Sequence, residues 1–260
     1  YASHIGYCLP RQFFERARVP STVTGDDPRR VFWVGTQLEW GLINRVRQSG
    51  LLIGDQVHVV SKEHHVSGYV DFVYGGKPRP DDPADIADYS PEWQSYLKTY
   101  KAKVRKAWPK GVPVTAVELK SASEFSVEKQ FTDGPQFHNT MQGGIYKLAQ
   151  RDGLYPDGFP EIERFQLAVI AKSSAKMLVF DILESHVEKA LARLDELNDA
   201  WPLELPACTC GVTMGWEANY CPYRTDSGGC CGDGLIQGAT EEFWKLADAA
   251  LAAREGGQDG

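Results

Sequence analysis

The run Val112-Pro113-Val114-Thr115-Ala116-Val117-Glu118-Leu119-Lys120 most narrows what this chain can fold into. Its side chains alternate with a period of two, the pattern of a strand with one face against a core. The run ends on a carboxylate and an ammonium two residues apart, a spacing that puts Glu118 and Lys120 on one side of the strand. A second alternating run lies upstream, His65-Val66-Ser67-Gly68-Tyr69-Val70-Asp71-Phe72-Val73-Tyr74. There Asp71 sits among apolar neighbours, where a carboxylate without a partner is costly. Two strand carboxylates and a lysine are the smallest set that can hold a hard cation and steady a water beside it. Taken alone, Glu-x-Lys is usually a solvated strand face with a minor ion pair.

The remaining pattern supplies the elements around these strands. From 31 to 48, Val34, Leu38, Leu42, Ile43 and Val46 recur at helical spacing, with Glu39 near the buried face. Residues 56–62 and 66–74 read as strands joined by a turn at Glu63-His64-His65; adjacent histidines on a strand would face opposite ways, so these are turn residues rather than a ligand pair. A loop over 75–83 leads to a helix over 93–108, and residues 124–134 read as a mobile polar connection. A helix follows over 137–150, carrying His138, Gln142 and Tyr146 on one face. Gly143 and Gly144 inside it cost helix stability and make sense where something packs closely. A hairpin over 164–171 and 176–182 and an amphipathic helix over 184–198 come next. Pro10 falls in the first turn of a short N-terminal helix, and Asp26-Asp27-Pro28 opens the following one. This order mixes strands with helices along the whole stretch.

With 260 residues, 42% of them hydrophobic, the chain can bury one substantial core, so residues 1–260 are expected to form one domain with 84–110 as a helical, basic insertion. A net charge of −7 argues against a protein that coats nucleic acid indiscriminately. Basic residues nevertheless crowd the insertion, where Lys98, Lys101 and Arg105 could support a nucleic-acid backbone, with Trp93, Tyr96, Tyr100 and Trp108 interleaved. A solvated helix face anchored by those aromatics is the plainer alternative. No apolar run reaches membrane-spanning length and no secretory signal opens the chain, whose missing Met suggests a trimmed or fragmentary start. The expectation is a cytoplasmic protein (in the host cytoplasm if viral) with no membrane partner.

Cys8 stands near the start, whereas Cys208, Cys210, Cys221, Cys230 and Cys231 crowd a Gly-rich stretch. Without a secretory signal, such a cluster points to a metal or iron-sulfur site before disulfides. Thiolates alone fit zinc as well as iron.

Asp71 followed by Glu118-Leu119-Lys120 resembles the PD-(D/E)xK nuclease superfamily. Three further stretches resemble its RecB-like branch: Gly35-Thr36-Gln37-Leu38-Glu39, the helix motif Met141-Gln142-Gly143-Gly144-Ile145-Tyr146, and the cysteine distribution. RecB-like iron-sulfur nucleases, including the CRISPR-associated ones that trim new spacers in antiviral defence and their phage relatives, place one cysteine before the nuclease core and three after it. Cys8 in Tyr7-Cys8-Leu9-Pro10 and Cys221 in Cys221-Pro222-Tyr223-Arg224 resemble two of these. The chain departs from the family at Ala218, where a Cys-x-x-Cys partner of Cys221 would stand, and in the long gap from Cys221 to Cys230.

The resemblance implies an α/β, restriction-endonuclease-like fold, a central mixed sheet flanked by helices, whose cysteine-rich segment joins the two chain ends, residues 1–30 and 200–235 binding the cluster. It implies a 4Fe-4S cluster on Cys8, Cys208, Cys221 and Cys230, with Cys210 and Cys231 as alternates and zinc as the alternative metal. Mg2+ or Mn2+ would be held by Glu39, Asp71, Glu118 and the Leu119 carbonyl, with Lys120 at the attacking water and Gln142 and Tyr146 at the strand end. The implied activity is that of a DNA exonuclease acting on ends or single strands in CRISPR adaptation or recombination and repair, with an integrase or recombination proteins as partners. The alternative is a nuclease-like module that binds DNA ends without cutting.

Overall fold

A computed structural model of the chain describes residues 2–17, 26–79, 87, 89–201, 245 and 248–249. Five strands form one sheet in sequence order: β1 Leu52–Ser61, β2 Val66–Gly76, β3 Val112–Ala122, β4 Arg164–Ala171 and β5 Met177–Asp181. All neighbours are antiparallel except β3 and β4. A parallel pair needs a long crossover, and α4 Glu124–Asp133 with α5 Phe137–Arg151 provides it. The other helices are α1 Leu9–Arg16, α2 Asp26–Ser49, α3 Pro91–Ala107 and α6 Glu184–Ala200. No helix among the described residues is long and apolar enough to cross a membrane.

The alternation read in the sequence sorts side chains to two cores. On one face, Val57, Val70, Leu167 and Val169 pack with Met141, Ile145 and Leu148 of α5, and α6 closes over them through Val187, Ala190 and Leu194. On the other, Ile43 of α2, with Leu38, Leu42 and Val46 around it, covers Phe72, Val117, Leu119, Ala168 and Ile170. These α2 residues are the helical stripe read from the sequence. The result is a mixed sheet with helices on both faces.

Two expectations are corrected. Residues 124–134 are not a mobile connection but contain α4, whose N-cap Ser123 Oγ accepts the Ser126 N–H at 3.2 Å. Only Val127 and Gln130 are buried along it, too few inward positions to give a readable period. Strand β1 starts at Leu52 rather than 56, because an irregularity between Leu52 and Gly54 and a positive φ of 48° at Gln56 break the alternation at its start.

The chain start packs against the last described helix. Arg16 Nη1 donates to Asn198 Oδ1 at 3.0 Å, and Phe13 lies edge-on to Trp201 with centroids 5.1 Å apart. Cys8 is fully buried at the entry to α1. Cys208, Cys210, Cys221, Cys230 and Cys231 lie outside the described residues.

The paired glycines of α5 serve contact with α6 and with Ile182 just before it. A Cβ on Gly143 would stand 2.7 Å from Ile182 Cδ1, and one on Gly144 would stand 2.6 Å from the His186 carbonyl oxygen. Gly144→Ala is therefore expected to destabilise the fold by about 1–3 kcal/mol, because backbone cannot yield as a side chain can. Urea unfolding checks this. Without the clash, the same change would stabilise the helix by about 1 kcal/mol, so the sign decides.

Candidate active site

The site lies where two strands part. Pairing of β2 with β3 ends at Phe72↔Val117, while β3 continues beside β4 as far as Ala122↔Ala171. Beyond that fork the Leu119 N–H donates to Asp71 Oδ2 at 2.6 Å, so a side chain takes the place of the ladder. Glu118, one residue past the last pair, is 2% exposed. Lys120 Nζ donates to Glu118 Oε1, as their spacing on one side of the strand predicts, while buried Glu118 Oε2 has no hydrogen-bond partner.

Glu39 reaches the same place from α2, and Gln56 Nε2 of β1 donates to its Oε1 at 2.9 Å. One turn before it, Gly35 lets α2 lie against β3, since a Cβ there would meet Ser121 Oγ at 2.6 Å. The glycine of the Gly35-Thr36 motif therefore has a packing reason beside the site.

Burial pushes the Glu118 carboxyl up to about 8, with Asp71 and Glu39 adding to the effect and Lys120 opposing it. Asp71 is also raised by burial, against the pull of Lys120 and the Leu119 N–H. Burial and Asp71 raise Glu39. For Lys120, burial alone would lower the ammonium, but Glu118 and Asp71 together hold it above its ordinary value. The site thus gathers carboxylates in excess of its one ammonium, with Glu118 sealed from water and Lys120 partly exposed.

Such a donor set suits a hard divalent cation. The unpartnered Glu118 oxygen is the observation that fits, since a buried carboxylate oxygen normally finds a donor or an ion. Among the described residues, no three His, Cys, Asp or Glu side chains already meet at metal-binding spacing. Any cation here would draw on two carboxylates with a backbone carbonyl or Glu39 rather than on a ready cage of side chains.

A cleft of about 530 Å3 opens beside these groups. Glu39 and Thr36 line it from α2, Leu119 and Lys120 from β3, and Asn139 and Gln142 from α5. Gln142 Nε2 donates to Tyr146 Oη at 2.8 Å, and Tyr146 Oη donates to the Tyr69 carbonyl at 2.7 Å. Gln142 thus borders the cleft, whereas Tyr146, 2% exposed, stands behind it and fastens β2 two residues from Asp71. Burial raises the Tyr146 phenol well above its ordinary range, so it stays protonated and donates.

The basic helix divides its expected contacts. Lys98 is exposed and Arg105 half-buried, but Lys101 is turned inside at 3% exposure. Arg45 of α2 lies 4.7 Å from the Tyr100 ring centroid and donates to Tyr96 Oη at 2.8 Å, so part of the aromatic stripe anchors α3 to α2. Trp93 and Trp108 remain exposed.

Sequence reasoning did not place Tyr7, Asn139 or Lys172 at this cleft. They come from the N-terminal segment, an α5 position and the β4–β5 turn, and nothing local to any of them signals the meeting. No family model matches this chain, and no curated protein matches it.

His138 also borders the cleft, stacked on Tyr7 at 5.5 Å, and burial followed by the nearby Lys120 and Arg11 charges lowers it to about 4. Its neutral form belongs to the folded state. The stability this contributes is therefore complete above its ordinary value of 6.5 and is lost as pH falls through about 4. An NMR titration of the folded chain should show His138 with a midpoint well below 6.5, and a midpoint at or above 6.5 would contradict the burial argument.

Proposed function

We propose that this chain is a metal-dependent DNA nuclease of the PD-(D/E)xK type, RecB-like, degrading DNA from ends or as single strands. The observation that carries the reading is Glu118, a buried carboxylate with one oxygen on Lys120 and the other unpartnered, beside Asp71 where the strands part. Asp71, Glu118 and the Leu119 carbonyl, with Glu39, would hold Mg2+ or Mn2+. When bound, the ion supplies Lewis-acid polarisation of the phosphodiester and makes water more acidic.

The protein's own groups do the rest. The Leu119 N–H fixes the direction of the Asp71 carboxylate. Lys120, kept charged and held by Glu118, steadies the attacking water and offsets the negative charge that builds on the phosphoryl oxygens. Gln142, braced by Tyr146, orients the strand end in the cleft. On α3, Lys98 can meet a phosphate backbone from the exposed face, and Arg105 can do so in part.

A 4Fe-4S cluster on Cys8 and three of the C-terminal cysteines belongs to the same reading. It rests on the sequence pattern, supported by the packing of α1 on α6 and Trp201, just before the cysteine-bearing stretch. Work at the ends of DNA in CRISPR adaptation or recombination rests on the resemblance alone.

End-labelled single and double strands, incubated with Mg2+, Mn2+ or a chelator, test the nuclease reading. Cleavage from ends should require the ion. Asp71→Ala and Glu118→Ala should each abolish it with the circular dichroism unchanged, and Lys120→Ala should lower kcat by about 10²–10³-fold. Full activity in both carboxylate variants would overturn the reading. DNA binding without ion-dependent cutting would leave the non-cutting end-binding module instead.

The cluster is checked separately on the anaerobically purified full chain. It should be brown, with a broad absorption near ~400 nm that Cys8→Ala removes while lowering the melting temperature. A colourless protein with stoichiometric zinc would decide for zinc. Iron retained in Cys8→Ala would show that the chain start is not tied in.

A further inference from the structure

Glu39 lines two clefts. Its inner side borders the 530 Å3 cleft, and its outer side borders a smaller pocket of about 220 Å3 between α2 and β1. That volume is below the roughly 300–1,000 Å3 typical of sites for drug-sized ligands, so its occupant is a single small ring system or something of that size.

The walls have the chemistry of a base site. Trp40, next to Glu39 on α2, stands at the pocket 64% exposed, a flat apolar surface presented to solvent. Ile43 contributes an apolar wall. Asn44 lies one helical turn from Trp40, on the same stripe of α2. Arg47 Nη1 donates to Asn44 Oδ1 at 2.6 Å, which leaves the Asn44 NH2 group as a donor. Gln56 Nε2 donates to Glu39, which leaves Gln56 Oε1 as an acceptor. Gln56 is held there at a φ of 48°, a conformation that a residue with a side chain rarely adopts.

A donor, an acceptor and an indole face match the edge and the face of a nucleobase. A phosphate does not match. The Arg47 guanidinium is already engaged with Asp55 at 3.0 Å, and the charge that pair leaves on the walls is that of the Glu39 carboxyl.

We propose that the pocket of Trp40, Ile43, Asn44 and Gln56 receives one unpaired nucleobase of the strand whose phosphate lies across Glu39 in the catalytic cleft. The proposal rests on the nuclease reading for where that phosphate sits. A continuous duplex keeps its bases paired and stacked, so only a single strand or a splayed terminal nucleotide can fill the pocket. Trp40 is then a specificity-determining residue, selecting unpaired substrate through stacking.

The test separates binding from cutting. Affinities of the full chain for a fluorescent single-stranded oligonucleotide, and for the same oligonucleotide carrying consecutive abasic sites, are measured by anisotropy with Ca2+ in place of Mg2+. Trp40→Ala should weaken binding of the base-bearing strand by about 5- to 100-fold and leave the abasic strand unchanged. Trp40→Phe should restore most of the loss. Cleavage of single-stranded over blunt duplex substrate should fall by a similar factor in Trp40→Ala. Equal loss on both oligonucleotides, or no loss on either, would overturn the pocket even if the wild-type chain cuts DNA. A base-dependent loss in Trp40→Ala, together with a wild-type chain that never cuts, would uphold the base site and remove the nuclease reading instead. Thermal melting confirms that Trp40→Ala is folded, as expected for so exposed a side chain.

Discussion

The rest of this structure depends on a carboxylate kept away from water. Glu118 is 2% exposed in the middle of the sheet, and an isolated charge there would cost several kcal/mol. Lys120 offsets part of that cost through one oxygen, and the other oxygen is left without a donor. Such a residue does not persist by stabilising the fold, because a leucine of similar bulk would pack the same space at lower cost. The parting of β2 from β3 follows the same logic. A ladder that closed fully would have matched every backbone group and left the Asp71 carboxylate no Leu119 N–H to bind.

The helix behind the fork makes this arrangement rigid. Most of α5 is buried, from His138 to Ala149 with the exception of Lys147, because it lies between the sheet and α6. Gly144 lets α6 approach, and the polar face of α5 borders the cleft at Asn139 and Gln142 and passes from Gln142 to Tyr146 to the Tyr69 carbonyl. The chain start is fitted to the same helix, since Gly6 leaves no space for a Cβ against His138, where one would lie 2.1 Å from the Cα. The core and the cleft are therefore built from one set of contacts.

What was legible in the sequence had a local period. The alternation around Asp71 and Glu118 gave their strands, and the stripe from Leu38 to Val46 gave the helix face that covers Val117 and Leu119. Glu118 and Lys120 could be put on one side from spacing alone, and they do meet. What failed lacked a period or had one too short to see. The helix α4 buries two residues in ten, and β1 begins with a bulge. Lys101 belongs to a basic run, but on a helix a residue three or four positions from Leu97 and Val104 shares their inward face. The meeting of Trp40 with Gln56 could not be read at all, because it depends on how α2 lies across β1 and not on either segment's own pattern.

Glu39 borders both clefts, and its position shows how one helix serves both. Its carboxylate feels the charges of Asp71 and Lys120 and accepts from the Gln56 amide. Shifting α2 along its axis by a single residue, about 1.5 Å, would break the Gln56 contact and move Gly35 away from Ser121. The close approach at Gly35 therefore does more than fill space. It sets the height of Glu39 against the fork in the sheet, and through the next residue it sets where Trp40 stands relative to the buried carboxylates.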